Sequence, residues 1–227
     1  MLPEDWEPIY EEILLAFGYD RTSDESSARM LRAVMMNSDL ISDDDVVMQR
    51  KATVFGCGDR LERDLKAFPP QGTLIASGSS AGRLKEAGIT PDIIVTDLDG
   101  DIEPQIEANM NGAVAFIHAH GDNSELIQRY ARDFLGPVIL TTQSRPDSIV
   151  SNYGGFTDGD RAVCIARHFG AKDILLSGFD FENPSKKEMS DPKIKSMKLW
   201  WAKEIIFDHN EPGIIIRHPV DTFYKNK

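Results

Sequence analysis

At 227 residues the chain has room for one domain, or one domain with an appendage, and its 41% hydrophobic and 27% charged residues exclude disorder. The net charge of −12, from 25 basic and 37 acidic residues, argues against a surface that tracks nucleic acid or anionic lipid. It leaves nucleotides open, because a bound divalent cation can bring a polyphosphate to a carboxylate cluster.

Along the chain, Trp6, Ile9, Tyr10, Ile13, Leu14 and Phe17 recur at helical spacing, and Gly18 can close that helix. A second helix is expected from a Ser23 cap through Met30, Leu31, Val34 and Met35. Both stripes read as packing surface, and residues 1–50 as an N-terminal helical segment. From residue 51 the pattern changes to short apolar runs at 52–56, 73–77, 92–96, 113–119, 137–141, 173–178 and 213–218. Helical candidates alternate with them at 60–68, 82–87, 103–110, 124–134, 159–169 and 194–208. Strands apolar on both faces, alternating with helices, imply a doubly wound, three-layer α/β domain with a mostly parallel sheet over residues 51–227. Cys57 and Cys164 lack CxxC spacing and read as buried thiols of a reducing cytosol. No leader opens the chain and no apolar run could span a bilayer, so a cytoplasmic protein with no membrane partner is expected.

In such a sheet, ligands bind beyond the carboxyl ends of the strands. The polar segments that follow the strands, "GCGD", "SGSSAG", "TDLDGD", "HAHGDN", "TTQ" and "GFDF", are therefore expected to converge on one edge. Asp97 and Asp99, two apart at a strand end, suit Mg²⁺, which takes one or two carboxylates plus water and phosphate oxygens; a solvated acidic turn is the plain alternative. A calcium loop is excluded, since Ile102 and Ala108 fall where it needs glycine and glutamate. Asp101 reads as a helix-end charge. His118 and His120 alternate onto one face, either as hydrogen-bonded strand-end residues or as zinc ligands, and Asp122 could reach the same metal as Asp97.

Ser77, Gly78, Ser79 and Ser80 join a strand to a helix start, where backbone N–H groups can cradle phosphate, although the segment is neither a Walker A sequence nor a GxGxxG. In "NYGGFTDGDRAV", Thr157 and Asp160 have the spacing of a capping box. That spacing leaves Gly154, Gly155, Asp158 and Gly159 unexplained; a glycine-rich loop with carboxylates suits a heterocycle presenting an amino group and a ring N–H. Lys193, Lys195, Lys198 and Lys203 flank Trp200 and Trp201 on a face that reads as solvated, from which one or two lysines could reach polyphosphate.

The strings "PDIIVTDLDG", "HAHGDN", "TTQ", "NYGGFTDGDRAV" and "GFDF", in that order, resemble the archaeal 6-hydroxymethyl-7,8-dihydropterin diphosphokinase (MptE-like) family, whose catalytic domain is similar to that of thiamine pyrophosphokinase. The resemblance covers most of residues 52–208. It implies transfer of a diphosphoryl group from ATP to a pterin alcohol in methanopterin- or folate-type biosynthesis. On this resemblance Asp97, Asp99 and Asp122 hold Mg²⁺ and are the catalytic residues. Ser77, Gly78, Ser79, Ser80, Thr142, Gln143, Lys195 and Lys198 face ATP, and Asp158, Asp160 and Asp180 face the pterin. A homodimer is compatible with it. One departure is Gly58-Asp59-Arg60-Leu61, where the family pattern leads us to expect Gly-Pro-Ser-Leu. Two other readings stay open: a haloacid-dehalogenase-like phosphatase with Asp97 as nucleophile and Asp99 as acid, and a non-catalytic nucleotide-binding module.

Overall fold

A computed structural model of the chain describes residues 1–183 and 191–219. Its strands are β1 (Lys51–Phe55), β2 (Thr73–Ser77), β3 (Ile93–Thr96), β4 (Val114–Ala119), β5 (Val138–Thr142), β6 (Val150–Ser151), β7 (Asp173–Ser177) and β8 (Ile215–Arg217). They form one sheet in the order β6-β5-β4-β3-β2-β1-β7-β8, with every pairing parallel. The helices are α1 (Pro3–Phe17), α2 (Arg21–Met35), α3 (Leu61–Ala67), α4 (Ala81–Glu86), α5 (Glu103–Met110), α6 (Ser124–Tyr130), α7 (Asp158–His168) and α8 (Pro192–Phe207).

Period-two alternation sorts the strand residues between two apolar layers. Val54, Ile75, Val95, Phe116, Ile139 and Leu176 pack with Ala162, Val163 and Ile165 of α7 on one face. On the other, Ala115, Ile117, Val138 and Leu140 pack with Leu31 and Met35 of α2 and Ile127 of α6. The chain steps outward from β1 to β6, then returns through α7 to lay β7 against the free side of β1. The switch point of the sheet therefore lies between β1 and β7.

Four local features differ from the sequence reading. The cap of α2 is Asp20 rather than Ser23; its carboxylate accepts the Thr22 N–H at 3.0 Å, and an acid suits the positive helix end. The helix expected to reach residue 134 stops at Tyr130 and continues as a 3₁₀ turn, and β6 is too short to leave a periodic signal. The last strand shortens to Ile215–Arg217. Residues 184–190 and 220–227, all within the segment assigned to the α/β domain, lie outside the described residues.

Residue 51 does open the sheet, yet the helices before it share its cores. Leu31 and Met35 sit among β4 and β5, while Trp6, Ile9, Tyr10 and Ile13 pack with Phe156, Cys164 and Trp201. No helix among the described residues is long and apolar enough to cross a membrane.

Candidate active site

After β3 the chain makes a turn that only its side chains explain. Leu98 takes a left-handed conformation, φ 69°, and is 1% exposed, its side chain lodged in the core beside β4. The Thr96 hydroxyl accepts the Leu98 N–H at 2.8 Å and the Asp97 carboxylate accepts the Asp99 N–H at 3.1 Å. Burying Leu98 this way leaves both flanking carboxylates lining one cavity. Gln105 of α5 braces the loop by donating to the carbonyls of Asp99 and Asp101. Asp101 itself stands exposed just before α5.

The turn after β4 faces this loop. Asn123 is 2% exposed and donates to the carbonyls of both Asp97, at 2.9 Å, and His118, at 2.7 Å, so it stitches the two strand ends together. His120 lies between two acids, with Nε2 3.4 Å from Asp97 and Nδ1 2.5 Å from Asp122. Burial works against its proton, but hydrogen bonds to Asp122 and Asp97 prevail and raise its pKa to about 9. Asp97 shows the converse: burial opposes its charge, and the bond and charge of His120 bring it down to about 2. His118 is different. It is 1% exposed, bonded through Nδ1 to the Thr141 hydroxyl at 3.0 Å, and burial drives its pKa well below the usual histidine range.

Two cavities open at this edge. One, of about 410 Å³, is lined by Asp97, Asp99, His120, Asp122 and Gln143, with Gly18 and Tyr19 of the N-terminal segment and Phe156 closing it. The other, of about 350 Å³, lies at the switch point and is lined by Gly56, Gly58, Ser77, Gly178, Asp180 and Lys195 among others. The β1 and β7 loops touch backbone to backbone there: a Cβ on Gly58 would come within 2.6 Å of the Gly178 carbonyl oxygen. Ser79, Thr157, Asp158 and Lys198 line both cavities and form the seam between them.

The sequence-derived candidates are thus sorted by the fold. Ser77 and Ser79 reach cavity walls. Gly78 and Ser80 are buried, Ser80 donating to the Ser77 carbonyl. Thr142 is buried and accepts the Ser144 N–H, whereas its neighbour Gln143 lines the carboxylate cavity together with Lys198 but not Lys195. Lys195 and Lys198 share one face of α8 and line the cleft; Lys193 and Lys203 are exposed. Asp180 lines the switch-point cavity with one oxygen accepting the N–H groups of Glu182 and Asn183. Asp160 corrects the sequence reading. It is fully buried and both its oxygens are taken by Phe156 and Thr157, so the capping box accounts for it and no oxygen faces a ligand. Sequence reasoning missed Arg161, 2% exposed, which donates to Asp158 at 2.9 Å and to the Phe156 carbonyl. A basic residue one helical turn after an acid was the available signal.

Asp158 carries the electrostatic signature of the seam. Burial first, then the negative charge of Asp97, raise its pKa to about 8 despite Arg161. The expected trio is not assembled: among the described residues no three acidic, histidine or cysteine side chains are arranged to hold a metal ion, and Asp122 is turned to His120. Asp97 and Asp99 both line the acidic cavity, and two carboxylates is the number Mg²⁺ ordinarily takes.

Fold and site together define an α/β enzyme-like cleft with two ligand-sized cavities and an acidic junction. A protein-family profile described as "6-hydroxymethylpterin diphosphokinase MptE-like" matches residues 31–186, and the chain belongs to that family. It is 41% identical over 216 residues to the 6-hydroxymethyl-7,8-dihydropterin pyrophosphokinase of Pyrococcus furiosus, covering 89% of this chain and 92% of the relative. The enzyme of the same name from Methanothermobacter thermautotrophicus is 41% identical over 88% of this chain and 92% of its own length. That from Methanocaldococcus jannaschii is 34% identical over 89% and 93%.

Proposed function

We propose that the chain transfers the terminal diphosphoryl group of ATP to the hydroxymethyl oxygen of 6-hydroxymethyl-7,8-dihydropterin, releasing AMP, in pterin-cofactor biosynthesis in the cytoplasm. The observation that carries it is the seam. Two cavities, each of the size that holds a small ligand, meet at Ser79, Asp158 and Lys198 beside Asp97 and Asp99, so two bulky partners can be held with their reacting ends together. The names of the curated relatives support the same chemistry.

In this reaction a bond forms between the alcohol oxygen and the β-phosphorus while the bond from that phosphorus to the oxygen bridging it to the α-phosphate breaks. AMP leaves with that oxygen, and the hydroxyl proton passes to water. Such transfers depend on alignment and charge neutralisation more than on a strong base. Lys195, Lys198, Ser77 and Ser79 bind the polyphosphate along the seam, and Arg161 fixes Asp158 there. Asp97 and Asp99 would hold Mg²⁺, which when bound would neutralise phosphate charge in an otherwise acidic cavity. Asp122 and Asp97 keep His120 protonated, adding a positive charge at the cavity wall.

Incubation with Mg²⁺, ATP and the pterin alcohol, followed by chromatography, is expected to show AMP and the pterin diphosphate in equal amounts. Absence of AMP above background from folded protein would overturn the assignment.

A further inference from the structure

We infer that Asp24, in the N-terminal helices, is the positioning residue for the His120–Gly121–Asp122 turn; its part in catalysis rests on the diphosphoryl transfer proposed above. Its side chain is 4% exposed and accepts from three different elements. Oδ1 takes the Gly121 N–H at 2.6 Å, while Oδ2 takes the Tyr10 hydroxyl at 2.5 Å and the Gln143 amide at 2.8 Å. A carboxylate this buried is tolerated only when its oxygens are satisfied, and here the donors come from α1, from the turn after β4 and from the turn after β5.

The Gly121 N–H lies between His120 and Asp122 in the chain. Pinning it fixes the peptide from which both side chains leave. The contact is close: a Cβ on Gly121 would stand 3.0 Å from that of Ser23. One helical turn further along α2, the hydroxyls of Ser27 and Ser124 meet at 2.7 Å and hold the start of α6, just past the same turn. The buried stripe of α2 is therefore polar at its site end, Asp24 and Ser27, and apolar beyond, Leu31 and Met35. A helix that served only to cover the sheet would have no use for a triply bonded acid at this place.

Asp24→Asn tests this. The amide has one acceptor oxygen, and whichever way it turns, its NH₂ meets a donor, either the Gly121 N–H or the Gln143 amide, so the hold on Gly121 is lost or weakened. Tyr10→Phe is the comparison, because it removes one donor from the same carboxylate and leaves the Gly121 tie. Tyr10 lies outside both cavities. For Asp24→Asn we expect kcat to fall roughly tenfold or more, as displaced catalytic groups do, with KM for ATP near wild type. Hydrogen exchange at the Gly121 amide should accelerate without general loss of protection. Tyr10→Phe should keep both kcat and Gly121 protection even if its Tm drops. Wild-type kcat in Asp24→Asn, or kcat losses in the two variants that merely follow their Tm losses, would overturn the inference. If the wild type itself makes no AMP, the functional reading fails, and unchanged Gly121 exchange in Asp24→Asn would still remove the tie.

Discussion

Leu98 shows how a single residue sets the site. Alternation along a strand predicts Asp97 and Asp99 on one face, and the left-handed Leu98 between them achieves this by burying itself in the core. Asp97 then sits against His120 and Asp158 at once. Asp97→Asn is expected to lower kcat by roughly 10²–10³, the usual cost of losing one preorganised charge at such a centre, as steady-state AMP release would measure. Because the charge of Asp97 is one cause of the raised Asp158 pKa, the same variant should let Asp158 titrate lower, which carboxyl carbon NMR can follow. The pair also predicts a pH dependence for the metal-free protein. His120 keeps its proton to about pH 9 when folded, against an ordinary value of 6.5, so the folded state binds the extra proton between those limits. That contribution is complete below pH 6.5 and disappears as pH rises to 9; Asp158, raised from 3.8 to about 8, acts in the same direction over its own range. Melts in a chelator should therefore show Tm declining from pH 6.5 to 9, with a shallower decline in His120→Gln; a rising Tm would count against the protonated His120.

At the level of elements, α7 does the most for the site. Its first turn presents Asp158 to the seam while the capping box of Thr157 and Asp160 ties down the N-terminus. Gly155 makes the approach possible: its φ is 96°, and an added Cβ would lie 2.3 Å from the Arg161 Cα. Gly155→Ala is expected to destabilise the fold by at least ~2 kcal/mol, combining left-handed strain with a clash that cannot relax, and to displace Arg161 from Asp158. Urea unfolding measures the first effect; a Gly155→Ala protein as stable as wild type would show that the loop can move aside.

For the whole molecule, the helices before residue 51 are part of the enzyme and not a detachable appendage. Trp6, Tyr10, Ile13, Leu31 and Met35 are all 0% exposed. At roughly 1.5–3 kcal/mol each, their burial contributes on the order of 10 kcal/mol, comparable with the total stability of a typical domain. A truncated chain beginning at residue 37 should show no cooperative thermal transition by circular dichroism. A folded, active truncation would refute both this expectation and the role of Asp24.

The sequence by itself determined the alternation of strands and helices, apart from the two-residue β6, the parallel three-layer class and the carboxyl edge as the place where the polar segments converge. Those features follow from hydrophobic periodicity and short polar insertions, which act over a few neighbouring residues. Tertiary structure decided which polar groups meet. It turned Asp122 to His120, spent Asp160 on a cap, set Asp158 at the seam and brought Asp24 to Gly121, 97 positions away. Chain order cannot specify such pairings, because they depend on how a helix rotates against the sheet and on which buried acceptors the folded backbone leaves to be filled.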